Sequence, residues 1–127
     1  MPEIFRARTA RTPQRRRVLE PNPSSPRERG YDARWDRESR AYRQQNPFCA
    51  LCREKGRLTF ATLVDHKHPV AEGGAVHDPA NWWGLCVAHH ALKRRWEDHA
   101  HETDQVHLIV RWCDEPTTRP RFRGDLS

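Results

Sequence analysis

Residues 85–90 read LCVAHH, placing Cys86 three before His89 and a second histidine, His90, directly after it. Adjacent side chains on a helix diverge by about 100°, so the two histidines serve two different places. Cys86-x2-His89 has a counterpart upstream in Cys49-x2-Cys52, with 33 residues between the two pairs. Two such turns brought together offer four soft or borderline ligands in a tetrahedron, the set that Zn²⁺ takes in structural sites. Thiolates select zinc over magnesium or calcium. Cys49, Cys52, Cys86 and His89 are therefore expected to hold a structural zinc, and His90 is left to point elsewhere. Cys113 has no partner in this scheme and reads as a buried small residue or a free thiol.

A staple of this kind suits the composition. Hydrophobic residues make up 35% of the 127 and charged residues 31%, which is too little apolar material for a large core. Small domains in that position commonly rely on a metal. The formal charge is +6, which favours a polyanionic partner; nucleic acid comes before membrane, because no amphipathic or apolar anchor is visible. No apolar run approaches a transmembrane length, and none follows the arginine-rich start as a secretory signal requires. A cytoplasmic location is expected, with thiols read as ligands before disulfides.

Outward from the cysteine turns, residues 1–30 lack helical or strand periodicity and contain the breaker cluster PNPSSP, so they read as a flexible basic arm. Residues 32–45 are free of proline and glycine and favour a helix that stops before Asn46-Pro47. Trp35 and Tyr42 on it are expected to pack inward. Extended segments are expected at 57–60 and 61–66, then a glycine loop through Gly73-Gly74, then a helix over 87–98 with Leu92 and Trp96 facing inward. The β-branched stretch 105–112 reads as one further strand, and the tail from Thr117 as disordered. The organisation is an arm over 1–30, a folded domain over 31–102, and a strand with a flexible tail over 103–127.

Between the two ligand turns lie Val64-Asp65-His66, Gly73-Gly74 and Asp78-Pro79-Ala80-Asn81, followed by Leu85-Cys86-x-x-His89-His90-x-x-Lys93. In order and spacing this resembles the HNH endonuclease family over about residues 49–93. With the basic helix ahead of it, it resembles the small phage-encoded HNH proteins. One departure is His89, which stands where the family usually has a second cysteine; a Cys₃His site remains sound zinc chemistry.

The resemblance implies a small α+β fold with a ββα-metal (HNH, His-Me finger) core, stapled by zinc and flanked by flexible basic termini. It implies a nuclease, a hydrolase of phosphodiester bonds in double-stranded DNA. His66 would be the general base, since neutral imidazole accepts a proton near neutral pH. Asp65 and His90 would hold a catalytic Mg²⁺ or Mn²⁺, with Ni²⁺ or Zn²⁺ also tolerated. Asp65 precedes His66 on a strand, so the two converge only if the strand ends there. Asn81 would either tie its loop to the His66 backbone or approach the metal; orientation is favoured because His90 already supplies the second ligand. Lys93 and Arg94 are candidate phosphate contacts, with a solvated helix charge as the plain alternative for Lys93. His68 could share the side of His66, though Pro69 disrupts the pattern. His77, His99, His101 and His107 read as surface or local hydrogen-bonding groups, and Trp82 and Trp83 as packing for the loop.

A phage terminase is the partner that the resemblance suggests. Two other readings compete: a zinc-stabilised nucleic-acid-binding module without catalysis, and an RNA-binding zinc knuckle, which needs aromatics on an exposed sheet.

Overall fold

The computed structural model describes residues 26–123, with side chains from residue 33 onward. The chain divides into two units, one through Arg37 and one from Glu38. Of the first, the described part is helical. The helix α1 spans Pro26–Gln45, with proline in the first turn, where its missing N–H costs nothing. It therefore takes in 26–30, which the sequence assigns to the arm; residues 1–25 lie outside the described residues. Its end is closed by Asn46, whose backbone and side-chain N–H groups both donate to the Tyr42 carbonyl, and Pro47 blocks continuation.

The second unit is a small α+β structure. After the short helix α2 (Ala50–Glu54) come β1 (Leu63–His66), β2 (Trp82–Leu85), α3 (Val87–Glu102) and α4 (Ile109–Asp114). The strands form a two-stranded antiparallel sheet that pairs Leu63 with Leu85 and His66 with Trp82. The partner of β1 is thus Trp82–Leu85, not 57–60. All four residues of β2 are buried, whereas Leu58 and Phe60 are exposed, so burial favours the apolar WWGL segment as the paired strand. Residues 57–60 contribute only an isolated bridge, Phe48 to Phe60.

The loop between the strands needs its two glycines for different reasons. Gly73 has φ +95°, in the left-handed region, which glycine enters without steric cost. Gly74 approaches the His68 carbonyl so closely that a Cβ there would lie 1.9 Å from its oxygen.

Buried residues His89, Lys93, Trp96 and Ala100 form one stripe of α3, at the three- and four-residue spacing of a helix face. The stretch 105–112 is helical rather than a strand: a 3₁₀ turn at Val106–Leu108 leads into α4. Ile109, Trp112 and Cys113 then fall on one face and join Trp96, Ala100, Leu85 and Leu51 in the core. A strand would have split them between two faces. The segment after Asp114 is anchored rather than loose as far as it is described. Arg119 donates to the carbonyls of Trp112 and Cys113, grips both Glu54 oxygens, and lies 5.0 Å from the centre of the Trp96 ring. Residues 124–127 lie outside the described residues. No helix among the described residues is long and apolar enough to cross a membrane.

Candidate functional site

Cys49 and Cys52 are brought together by α2 and the turn after it. The Cys52 N–H donates to the Cys49 sulfur at 3.4 Å, Lys55 and Arg57 donate their N–H groups to the Cys52 carbonyl, and Cys49 donates to Thr59. Gly56, with φ +77°, makes the reversal between Lys55 and Arg57 possible. Cys86 follows β2 directly and is the N-cap residue of α3, so Cys86 and His89 flank the first turn of that helix. Loop and helix meet at one point: Nδ1 of His89 lies 3.4 Å from each of the Cys49, Cys52 and Cys86 sulfurs. The Cys52 and Cys86 sulfurs are 3.9 Å apart, and all four atoms lie within 4.8 Å of one another.

One N–H can serve one sulfur, so three equal contacts to a single nitrogen are not explained by hydrogen bonding. A tetrahedral zinc with bonds of about 2.3 Å to sulfur and about 2.0–2.1 Å to nitrogen would set S···N edges at about 3.6 Å and S···S edges at about 3.8 Å. The donor set and its spacing fit zinc. Burial, followed by the charges of Lys55 and Arg57, pushes the His89 pKa down, which keeps the imidazole neutral as a ligand must be. Burial raises the Cys49 thiol. At Cys52 burial acts in the same direction, but hydrogen bonds involving Thr59, Cys49, Cys86 and Arg57 outweigh it, so that thiol is lowered. Cys113 stands apart from the cluster, buried, with its thiol pushed up to about 12, mainly by burial.

His90 points away from this cluster. Its Nε2 lies 3.7 Å from Oδ1 of Asp65, longer than a hydrogen bond. One cation with bonds of about 2.1 Å could still touch both atoms. Asp65 is placed by β1, opposite Trp83. Its other oxygen, Oδ2, accepts from the Trp83 indole at 3.0 Å and from the Lys93 ammonium at 2.7 Å.

His66 is the last residue of β1. Its Nε2 sits 2.9 Å from the Val76 carbonyl oxygen, which also accepts from the Trp82 indole at 2.8 Å. A carbonyl only accepts, so Nε2 carries the proton and, in the neutral ring, Nδ1 holds the lone pair. Asn81 secures the same loop, though not through the His66 backbone. Its Oδ1 accepts from the His68 N–H, and its Nδ2 donates to the carbonyls of His68 and Ala75. His68 enters the site's surroundings through its backbone. Asn81 thus braces Ala75, next to the Val76 that holds His66.

Lys93 differs from a phosphate contact waiting on the surface. It is 0% exposed, with its ammonium on Asp65, Glu97 and the His66 carbonyl. Arg94 is exposed. The remaining histidines have local partners or lie open: His77 pairs with Glu38, His101 with Glu72 at 3.1 Å, His99 packs against Trp112 and Phe122, and His107 is exposed. Trp82 and Trp83 are both buried, which leaves them unavailable for stacking on bases.

The sequence reading omits Glu97 and gives Trp83 only a packing role, not its bond to Asp65. Glu97 lies one helical turn after Lys93, a spacing that could have suggested a pair. Trp83 reaches Asp65 only through the strand register, for which the sequence carries no local signal. Comparison with protein-family models, with curated proteins and with solved structures finds no match for this chain.

Proposed function

We propose that the protein is a metal-dependent endonuclease that hydrolyses phosphodiester bonds in double-stranded DNA. On this reading β1, β2 and α3 form a ββα-metal unit stapled by zinc. The observation that carries it is the pairing of Asp65 Oδ1 with His90 Nε2 at 3.7 Å, at the strand end where His66 also stands. Asp65 and His90 would hold Mg²⁺ or Mn²⁺, hard cations suited to a carboxylate and an imidazole with positions left for water and phosphate; Ni²⁺ or Zn²⁺ also fits the donors. Bound there, the cation supplies Lewis-acid polarisation of the phosphate and stabilises the leaving oxygen.

His66, oriented through Nε2 by Val76, takes a proton from water at Nδ1. The water oxygen bonds to phosphorus as the bond to the leaving oxygen breaks, and that oxygen is reprotonated from solvent. Asn81 keeps the imidazole in place through the loop. The net positive charge and exposed arginines such as Arg94 give phosphate contacts that do not read sequence. The likeness to phage HNH proteins adds a terminase as a partner. Pull-down with terminase subunits, and a change of activity on mixing, tests that part separately.

A zinc-stabilised nucleic-acid-binding module is the second reading. Its support is Lys93, which already balances Asp65 without any metal. Supercoiled-plasmid conversion by wild type and His66→Ala, in EDTA, Mg²⁺ and Mn²⁺, separates the two. Metal-dependent nicking lost in the variant supports the nuclease; binding without nicking under every metal favours the module.

A further inference from the structure

The two oxygens of Asp65 have different surroundings. Oδ2 is engaged by Lys93 and Trp83, while Oδ1 faces His90. An ammonium has three protons to give. Those of Lys93 go to Asp65, to the His66 carbonyl at 2.9 Å and to Glu97. A lysine that is fully buried is costly unless its charge is paired, and here it is bracketed by two carboxylates. Asp65, Lys93 and Glu97 together carry one net negative charge, next to the spot where Asp65 and His90 converge.

We infer that Lys93 and Glu97 are positioning residues for Asp65. The ammonium pins Oδ2, so that one oxygen alone is presented toward His90. Glu97 holds the ammonium from its other side and returns the negative charge that a divalent cation needs. The inference rests on the nuclease reading and deepens it. Neither residue touches the reacting atoms; both act through Asp65.

Pinning and charge have separable consequences. Removing the lysine charge leaves two carboxylates beside the cation, so binding tightens even as the ligand loses its fixed orientation. Removing the glutamate charge weakens binding while the Lys93–Asp65 contact survives. A unit charge about 5 Å from a divalent cation changes its affinity by at least about tenfold. A merely structural role would weaken binding in both variants.

The test uses the full-length zinc-loaded protein, with Mn²⁺ as the probe and free Mn²⁺ counted by electron paramagnetic resonance. Plasmid nicking is followed in parallel at saturating Mn²⁺, and zinc content and circular dichroism report the fold. Lys93→Met is expected to bind Mn²⁺ at least about tenfold more tightly yet nick at least about tenfold more slowly. Glu97→Gln, which removes a charge that lies beyond the ammonium and so farther from the cation, is expected to bind several-fold more weakly. The double variant restores the net charge, so its affinity returns toward wild type while nicking stays slow.

Single variants that shift Mn²⁺ affinity in the same direction, or Lys93→Met nicking at the wild-type rate, overturn the inference and leave the nuclease reading intact. If Lys93→Met does not fold, the Glu97→Gln and double variants decide by the same signs. A wild type that neither binds Mn²⁺ nor nicks DNA overturns both.

Discussion

Nε2 of His90 stands 3.7 Å from Oδ1 of Asp65, while its neighbour His89 turns the other way into three thiols. Two consecutive residues of α3 thus face two different sets of partners, three thiols and one carboxylate. Replacing His90 with alanine should abolish Mn²⁺ uptake and nicking while leaving zinc content and helicity unchanged. Replacing His89 with alanine should release zinc. Equal zinc loss in both variants, measured by elemental analysis, would contradict this division of labour.

His66→Ala removes the proposed proton acceptor without touching the thiol cluster. Nicking should fall by about 10²–10⁴, the usual contribution of general acid–base catalysis, with DNA binding retained. Undiminished cleavage in a contaminant-free preparation would remove His66 from the mechanism.

The Cys₃His cluster carries a pH dependence of definite sign. The pKa of His89 is lowered on folding by burial and by the Lys55 and Arg57 charges, so the unfolded chain binds more protons there. Stability from this source is full above the ordinary histidine range and declines as pH falls through it. Thiolate protonation adds to the loss. Zinc release followed with a chromogenic chelator should therefore rise on acidification, together with loss of helical signal. Cys49→Ser should give the same outcome at neutral pH, and a variant that stays folded without zinc would refute the structural role.

Cys113 should resist alkylation through burial alone, whereas the other three cysteines depend on zinc for protection. Burial holds its thiol at about 12, so almost no thiolate exists near neutral pH and alkylation is suppressed. In the zinc-loaded protein, mass spectrometry after iodoacetamide should find Cys113 unmodified. After chelation in denaturant all four cysteines should react. The raised pKa also predicts lost stability as pH climbs from the ordinary thiol range toward 12, because the unfolded chain then gives up its proton first.

Asn81→Ala removes the acceptor for the His68 N–H and the donor to His68 and Ala75. Thermal or urea unfolding should show a loss of about 1–3 kcal/mol, and nicking should slow because Val76 no longer fixes the imidazole. Asn81→Asp keeps the acceptor but places a carboxylate against two carbonyls, so it should not rescue. Stability equal to wild type in both variants would rule out the bracing role.

How much of this was legible in the sequence differs by element. The two ligand turns declare themselves by spacing alone, because Cys-x2-Cys and Cys-x2-His are local geometries that a turn and a helix start impose. The divergence of His89 and His90 follows from the helix repeat, and the break after Gln45 from Pro47. The stretch 105–112 misled because β-branched residues satisfy strand propensity, while its large buried residues share a face only on a helix packed against Trp96 and Ala100. The segment 57–60 misled because pairing went to the more deeply buried Trp82–Leu85.

Tertiary structure decided what distance along the chain conceals. It put Asp65 opposite Trp83, drew Lys93 into the interior between two carboxylates, and placed Asn81 on His68 and Ala75 rather than on His66. Sequence specifies which atoms can bind a metal or accept a proton, because that is covalent chemistry and local helix geometry. Which of them meet depends on strand register and on the burial that selects it, and those are properties of the packed chain.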